Sequence, residues 1–147
     1  MQYDEIKVLD VDEALVDSLW GKIKDTGSFY SIGDGATKDV FRAALYKSSY
    51  VLEVSGAILR LEVGDFLVEL HPIVFGPSLY EVAPKMLKEI YERFGSSFRK
   101  KSICCIIPQG MRAAKRLAVR AGMREFGPVT RLLSGVPLPC VMYGWRP

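Results

Sequence analysis

Side chains that bind metals or form disulfides are scarce in this chain, which has one histidine and three cysteines among 147 residues. No Cys-x-x-Cys pair is present, and Cys104 and Cys105 are adjacent, so the sequence favours neither a zinc site nor a disulfide framework. The apolar run Ser102–Pro108 is far shorter than the ~20 residues that span a bilayer, and the first residues do not follow the pattern of a secretory signal. We therefore expect a cytoplasmic protein with no metal ion and no membrane partner.

Long polar tracts are also missing, because hydrophobic residues make up 49% of the chain and charged residues 25%. This composition excludes disorder as a description of the whole chain. The length suits one hydrophobic core, so we expect a single domain over residues 1–147.

The net charge of +3 is unevenly distributed. Residues 1–35 hold eight acidic and three basic side chains, whereas residues 99–131 hold nine basic side chains and one acidic one, Glu125. The basic segment favours an anionic partner, which leaves three alternatives: a phosphate-bearing ligand, a nucleic acid, or the acidic first third of the same chain. Residues 112–120 carry four of these bases and no aromatic side chain, which disfavours nucleic acid.

Hydrophobic spacing predicts the element order β-α-α-β-β-β-α-β-α-β-β. Asp12 is expected to cap the first helix, and Ser55-Gly56 and Gly64-Asp65 are expected to form hairpin turns between three strands. The expected strands cover residues 3–11, 50–54, 57–63, 66–74, 102–107, 129–133 and 140–145. The expected helices cover residues 14–26, 37–47, 79–94 and 111–121.

Pro84 leaves a second start open for the third helix, because a proline inside a helix removes one backbone hydrogen bond. Strand 66–74, this helix and strand 102–107 form one β-α-β crossover, which places one parallel pair in an otherwise antiparallel sheet. The predicted fold class is α/β (α+β), with a mixed sheet of about seven strands and about four flanking helices.

One motif near the last helix is specific. After the strand that ends at Pro108, the chain reads QGMRAAKRLAVRAGM and then REFG. This stretch is similar to the strand exit, N-x-x-A-x-x-L helix and G-F-x-x-x-G pattern of the GNAT superfamily of acyl-CoA-dependent N-acyltransferases. Ala114, Leu117, Gly122 and Gly127 fall on matching positions, and Met123 stands where an aromatic residue is usual. Together with the element order, the resemblance covers nearly the whole chain.

The resemblance implies a cofactor, acetyl-CoA or CoA, and an acceptor that is a small-molecule or peptide amine. In that family the sheet splays open between its fourth and fifth strands, here 66–74 and 102–107, and the pantetheine arm lies in the gap. The pyrophosphate rests on backbone amides at the following helix start. By position, the cofactor-binding residues would be Pro72, Ile73, Val74, Phe75, Gly76, Ser78 and Leu79, with Met111 and Arg112 at the start of the last helix.

The chain departs from the family pattern at several of these positions. Phe75 stands where a basic residue is common, Ser78 stands where the second glycine is common, and Pro77 has no amide hydrogen. Met111 replaces the usual asparagine, and Ala118 replaces the tyrosine that protonates the departing thiolate in many members.

Glu69 and His71 are the candidate catalytic pair. They lie two residues apart on one strand and therefore face the same side, and Glu69 resembles the family's fourth-strand glutamate in placement. A carboxylate and an imidazole can remove the proton of an amine, directly or through water. The alternative for both is structural: Glu69 paired with a cation, and His71 satisfied inside the sheet.

Two functions stay open at this point. The first is an N-acyltransferase with Glu69 as base, assisted by His71. The second is a catalytically inactive GNAT-fold binding or assembly protein, such as a phage virion or head-assembly component. The second interpretation rests on the altered loop and on a likeness to acetyltransferase-like proteins of tailed bacteriophages, and it implies a virion partner or self-association and a location in the host cytoplasm.

Overall fold

The computed structural model describes residues 6–26, 37–133 and 135–147. The strand expected from residue 3 lies partly outside these residues, and the loop between the first two helices lies almost wholly outside them. The described elements, in chain order, are β1 Lys7–Val8, α1 Glu13–Thr26, α2 Lys38–Lys47, β2 Tyr50–Val54, β3 Ala57–Val63, β4 Leu67–Ile73, α3 Ser78–Phe94, β5 Ser102–Pro108, α4 Arg112–Arg120, β6 Arg124–Leu133 and β7 Val136–Trp145.

The seven strands form one sheet in the order β1-β2-β3-β4-β5-β7-β6. The β4 and β5 strands are parallel, whereas the registered pairs β1/β2, β2/β3, β5/β7 and β6/β7 are antiparallel. The predicted fold class, a mixed sheet with one parallel pair and four helices, is confirmed. Among the described residues, no helix is long and apolar enough to cross a membrane.

Contacts group the chain into two compact units, which are Met1–Glu62 with His71–Leu79 and Val63–Leu70 with Tyr80–Pro147. We refer to them as the first and the second unit. The expectation of a single domain over 1–147 stays a prediction.

The first unit packs α1 and α2 against β2, β3 and the end of β4. Asp12 accepts a hydrogen bond from the Leu15 amide at 2.8 Å, as its predicted capping role requires. Thr37 caps α2 through the Val40 amide in the same way, at 3.2 Å. The core of the unit consists of the buried side chains Val16, Leu19, Ile23, Phe41, Leu45, Val51, Ile58 and Ile73.

The turn between β2 and β3 forms as its sequence predicts. Ser55 and Gly56 both have positive φ, 48° and 78°, which is the backbone of a two-residue hairpin with the twist of its strands. The next connection is one residue longer than expected, because β4 begins at Leu67 and Phe66 joins the turn.

The α3 helix begins at Ser78 and continues through Pro84, so the later start at Pro84 is wrong. The helix survives the proline because the carbonyl of Tyr80, four residues earlier, has another donor: Arg120 Nε of α4 lies 2.9 Å from it. The Arg120 guanidinium also lies 4.7 Å from the centre of the Tyr80 ring. An arginine thus replaces the amide hydrogen that proline lacks.

The hairpin of β6 and β7 is longer than predicted. The sequence places the start of β6 at Val129, but the strand begins at Arg124. A bulge lies between Glu125 and Gly127, where Gly127 has φ 132°. Such a bulge bends a strand without ending it.

Candidate active site

Glu69 lies at the last registered pair of the parallel ladder between β4 and β5. Three pairs are described, Leu67↔Ser102, Val68↔Ile103 and Glu69↔Cys104. Beyond them β5 continues to Pro108 against β7.

The carboxylate of Glu69 forms an ion pair with the guanidinium of Arg131 on β6. The side chain of Glu69 is 24% exposed and that of Arg131 is 41% exposed. Solvent therefore reaches both members of the pair. The pair itself is what the structural alternative for Glu69 predicts, so a catalytic role for Glu69 stays a proposal.

His71 belongs to a different charge cluster, in the first unit. Its Nε2 lies 2.9 Å from Oε2 of Glu62 on β3. Arg60, which is 2% exposed, donates from Nη1 to the same Glu62 oxygen, to the Ala44 carbonyl and to the Ser48 hydroxyl, each at 3.1 Å. His71 thus lies beside a partly buried charge network, and a catalytic role for His71 stays a proposal.

The environment of Glu62 favours its ionised form. Burial is the largest single influence and raises the pKa of the carboxyl group, but His71 in its protonated form, Arg60 and Lys47 together outweigh it and lower the pKa below its ordinary value. The carboxylate is therefore a fixed negative charge beside His71 at neutral pH.

The expected cofactor-binding residues Pro72, Ile73, Val74, Phe75, Gly76, Ser78 and Leu79 all lie in the first unit, from the end of β4 to the start of α3. Ile73 and Leu79 are buried, whereas Gly76, Pro77 and Ser78 are exposed. A Cβ added at Gly76 would meet no atom within 4 Å, so the backbone at Gly76 is open to a ligand.

A basic side chain lies over this loop although the loop sequence has none. Lys22 of α1 places its ammonium 4.4 Å from the centre of the Phe75 ring. The Phe75 ring therefore has a lysine on its face. The sequence could not show this placement, because residues 22 and 75 are brought together only by the packing of α1.

Met111 and Arg112 lie in the second unit. Met111 is the N-cap of α4 without a side-chain cap, and Arg112, the first helical residue, is exposed. Arg120, the last residue of α4, is exposed and bonds the Tyr80 carbonyl.

The adjacent cysteines Cys104 and Cys105 are both buried. Burial, helped by the negative charge of Glu69, raises the pKa of Cys104 to about 11. Burial, helped by Cys104 and Glu69, raises the pKa of Cys105 to about 12. Neither thiol is poised as a nucleophile at neutral pH.

Sequence reasoning missed three charged residues that contact the candidate residues: Lys22 and Glu62 in the first unit and Arg131 in the second. Glu62 had a local signal, because Arg60 and Glu62 carry opposite charges and lie two residues apart on one strand, which places them on the same face. Arg131 had none, because it contacts Glu69 across 62 residues of chain.

No protein-family model matches the chain, and no curated protein matches it by sequence. Solved structures do match. A GNAT-family acetyltransferase from Bacillus anthracis is 12% identical with a TM-score of 0.69, over 99% of this chain and 96% of the other. An acetyltransferase from Salmonella typhimurium that modifies the N-terminal serine of the 50S ribosomal subunit protein L7/L12 is 10% identical with a TM-score of 0.70, over 98% and 96%.

A third match is the microcin C7 self-immunity acetyltransferase, solved in complex with acetyl-CoA and AMP. It is 12% identical with a TM-score of 0.64, over 98% of this chain and 93% of the other. At such identities the likeness concerns the fold alone. The chain has the fold of the GNAT-family acetyltransferases.

Proposed function

We propose that this protein is an acyl-CoA-dependent N-acyltransferase that acts on an amine. The observation that carries the proposal is the parallel pairing of β4 and β5, whose described pairs run from Leu67↔Ser102 to Glu69↔Cys104 while β5 continues for four more residues against β7. A thin thioester arm can reach a sheet only where neighbouring strands stop pairing. The fold shared with solved acetyltransferases, one of them in complex with acetyl-CoA, supports the same function.

The residues at the start of α3 fit the phosphates of acyl-CoA in part. The amides near Gly76 are exposed at the start of a helix of 17 residues, where the helix dipole favours an anion. Pro77 contributes no donor, and Glu81 in the first turn carries a negative charge. Lys22, over the Phe75 ring, supplies a positive charge to the loop that offsets this deficit.

Acetyl-CoA, when bound, supplies a thioester whose acyl group forms a new C–N bond with the amine as the C–S bond breaks. Glu69 is our candidate for the group that accepts the ammonium proton, directly or through one water. Its partly exposed carboxylate already holds a cation, the guanidinium of Arg131. His71 is the second candidate, as a base oriented by Glu62.

Release of free CoA from acetyl-CoA, measured across a panel of amines, tests the function. We expect acceptor-dependent release, and we expect Glu69→Gln to reduce kcat by about 100-fold or more, in the range of general bases. Glu92→Gln, an exposed carboxylate on α3, is the matched control and should leave the rate unchanged. Equal rates for both variants would remove Glu69 from the mechanism.

The alternative, an inactive binding or assembly protein, is motivated by Pro77, Met111 and Ala118. The three solved structures reported above are acetyltransferases and do not support it. A phage source, a virion partner and a cytoplasmic location stay predictions from the sequence.

A further inference from the structure

The ion pair between Glu69 and Arg131 requires the β6–β7 hairpin to bend. Arg131 pairs with Leu138, which lies six residues along β7 from Gly144, the partner of Cys104 beside Glu69. Six residues of strand span ~20 Å, far more than the length of an arginine side chain. The contact therefore exists only because the far end of the hairpin turns towards β4.

The bend has a structural cause in the second unit. The bulge between Glu125 and Gly127 lies at the base of β6, where bending and extra twist are expected. Beyond Pro108, which pairs with Cys140, the hairpin continues as two strands past the end of β5. This extension carries Arg131 to Glu69, so the fold places the two charges side by side.

The carboxylate of Glu69 and the guanidinium of Arg131 are in contact and both partly exposed. Together they can bind a zwitterion, because the carboxylate attracts its positive group and the guanidinium its negative group. Such a pair is weak in water, because solvent screens both charges, so a ligand can open it at little cost. Arg131 has a planar fork that fits a carboxylate with two parallel hydrogen bonds. Glu69 fits an ammonium group.

We propose that the acceptor is a free α-amino acid, whose ammonium group binds Glu69 and whose carboxylate binds Arg131. The inference rests on the proposed transferase function and narrows its acceptor. Glu69 and Arg131 are in direct contact, and the amine and carboxylate of an α-amino acid are separated by a single carbon. The N-terminus of a peptide has no carboxylate at that distance, so peptides are disfavoured. Arg131 is then a specificity residue, and Glu69 receives the proton.

Thermal unfolding tests the proposal. The Tm is measured with each of the twenty standard amino acids and with the matched amino-acid amides, in each case in the presence and in the absence of CoA. At least one amino acid should raise Tm, and its amide, which lacks the carboxylate, should bind at least tenfold more weakly. Arg131→Gln should remove the shift, and Arg116→Gln, an exposed arginine on α4, should retain it. Arg131→Lys keeps the charge without the fork and should retain a weakened shift, which separates lost recognition from lost folding.

The proposal is overturned if no amino acid raises Tm, if acid and amide shift it equally, or if Arg131→Gln binds like the unaltered protein. These outcomes are independent of transfer. Amino-acid binding without any release of CoA from acetyl-CoA would refute the transferase function and leave the binding site standing. Equal acetylation of amino acids and of their amides would refute the proposed acceptor and leave the transferase function standing.

Discussion

Arg120 should stabilise the protein by replacing the hydrogen bond that Pro84 removes from α3. The guanidinium donates to the Tyr80 carbonyl at 2.9 Å and lies 4.7 Å from the ring of the same residue. A hydrogen bond from a charged donor contributes about 1.5–3 kcal/mol and an exposed cation–π contact about 0.5–1 kcal/mol. Tyr80 is 46% exposed, so water replaces part of the lost bond. We expect Arg120→Ala to lower the free energy of unfolding by about 2 kcal/mol.

The cost of Arg120→Ala should depend on Pro84 if Arg120 replaces the hydrogen bond that the proline removes. In a Pro84→Ala background, the new alanine offers its own amide hydrogen to the Tyr80 carbonyl, so Arg120→Ala should cost only the ring contact, about 0.5–1 kcal/mol. The double-mutant cycle should therefore show a coupling of about 1 kcal/mol between positions 84 and 120. Two residues that act independently would show none.

Urea unfolding measures the four proteins of the cycle, and thermal unfolding provides a check. A loss of about 2 kcal/mol corresponds to a fall in Tm of about 4–8 °C for a chain of this size. Arg116→Ala on the same helix is the matched control and should change stability by less than about 0.5 kcal/mol. An equal cost of Arg120→Ala in both backgrounds would refute the reasoning.

Three further predictions concern charges and thiols. Lys22→Ala should weaken CoA binding about two- to fivefold in calorimetry, which is the contribution expected of one exposed cation. The control Lys24→Ala should leave the affinity unchanged. Equal affinities of the two variants would exclude Lys22 from a role in the loop. Glu62→Gln should lower the free energy of unfolding by about 1–3 kcal/mol at pH 7. Because folding lowers the pKa of Glu62 from its ordinary 4.5, its contribution is present above pH 4.5 and is lost as the pH falls through the lower folded value. Denaturation curves should therefore converge in acid, and a constant difference would contradict this. Cys104 and Cys105, with pKa values of about 11 and 12, should react with dithionitrobenzoate at pH 8 only after unfolding, and rapid native labelling would contradict their burial.

Much of the fold could be predicted because its signals are local. Asp12, Ser55-Gly56 and the apolar stripe of α3 each act within a few residues, through a cap, a turn and one helix face. The errors arose at strand ends, where local signals are weak. The sequence places the start of β6 at Val129, but β6 begins at Arg124 and passes through a bulge between Glu125 and Gly127.

The start of α3 shows a limit of another kind. Pro84 removes a hydrogen bond in any helix, and whether the helix tolerates this loss depends on a donor from elsewhere. That donor, Arg120, is 40 residues from the carbonyl it bonds. No periodicity in α3 contains this information.

The candidate site was predictable in its strand but not in its contacts. Alternation on β4 placed Glu69 and His71 on one face, which needs only the geometry of a strand. Their partners, Arg131 and Glu62, come from other strands, and the first of them depends on a bend in the distant β6–β7 hairpin. Charge partners across a sheet follow from tertiary packing rather than from sequence spacing.

Calorimetric titration of the protein with acetyl-CoA tests the central claim most directly, because acyl transfer requires that this chain bind the donor despite Phe75 and Pro77. We predict saturable binding at one site per chain, and a stabilisation of about 2.7 kcal/mol at a hundred times Kd. In the same titration, pantetheine, which lacks the pyrophosphate, should bind more weakly than acetyl-CoA. The absence of heat and of any change in Tm at millimolar acetyl-CoA would contradict the assignment of acyl-CoA chemistry to this fold.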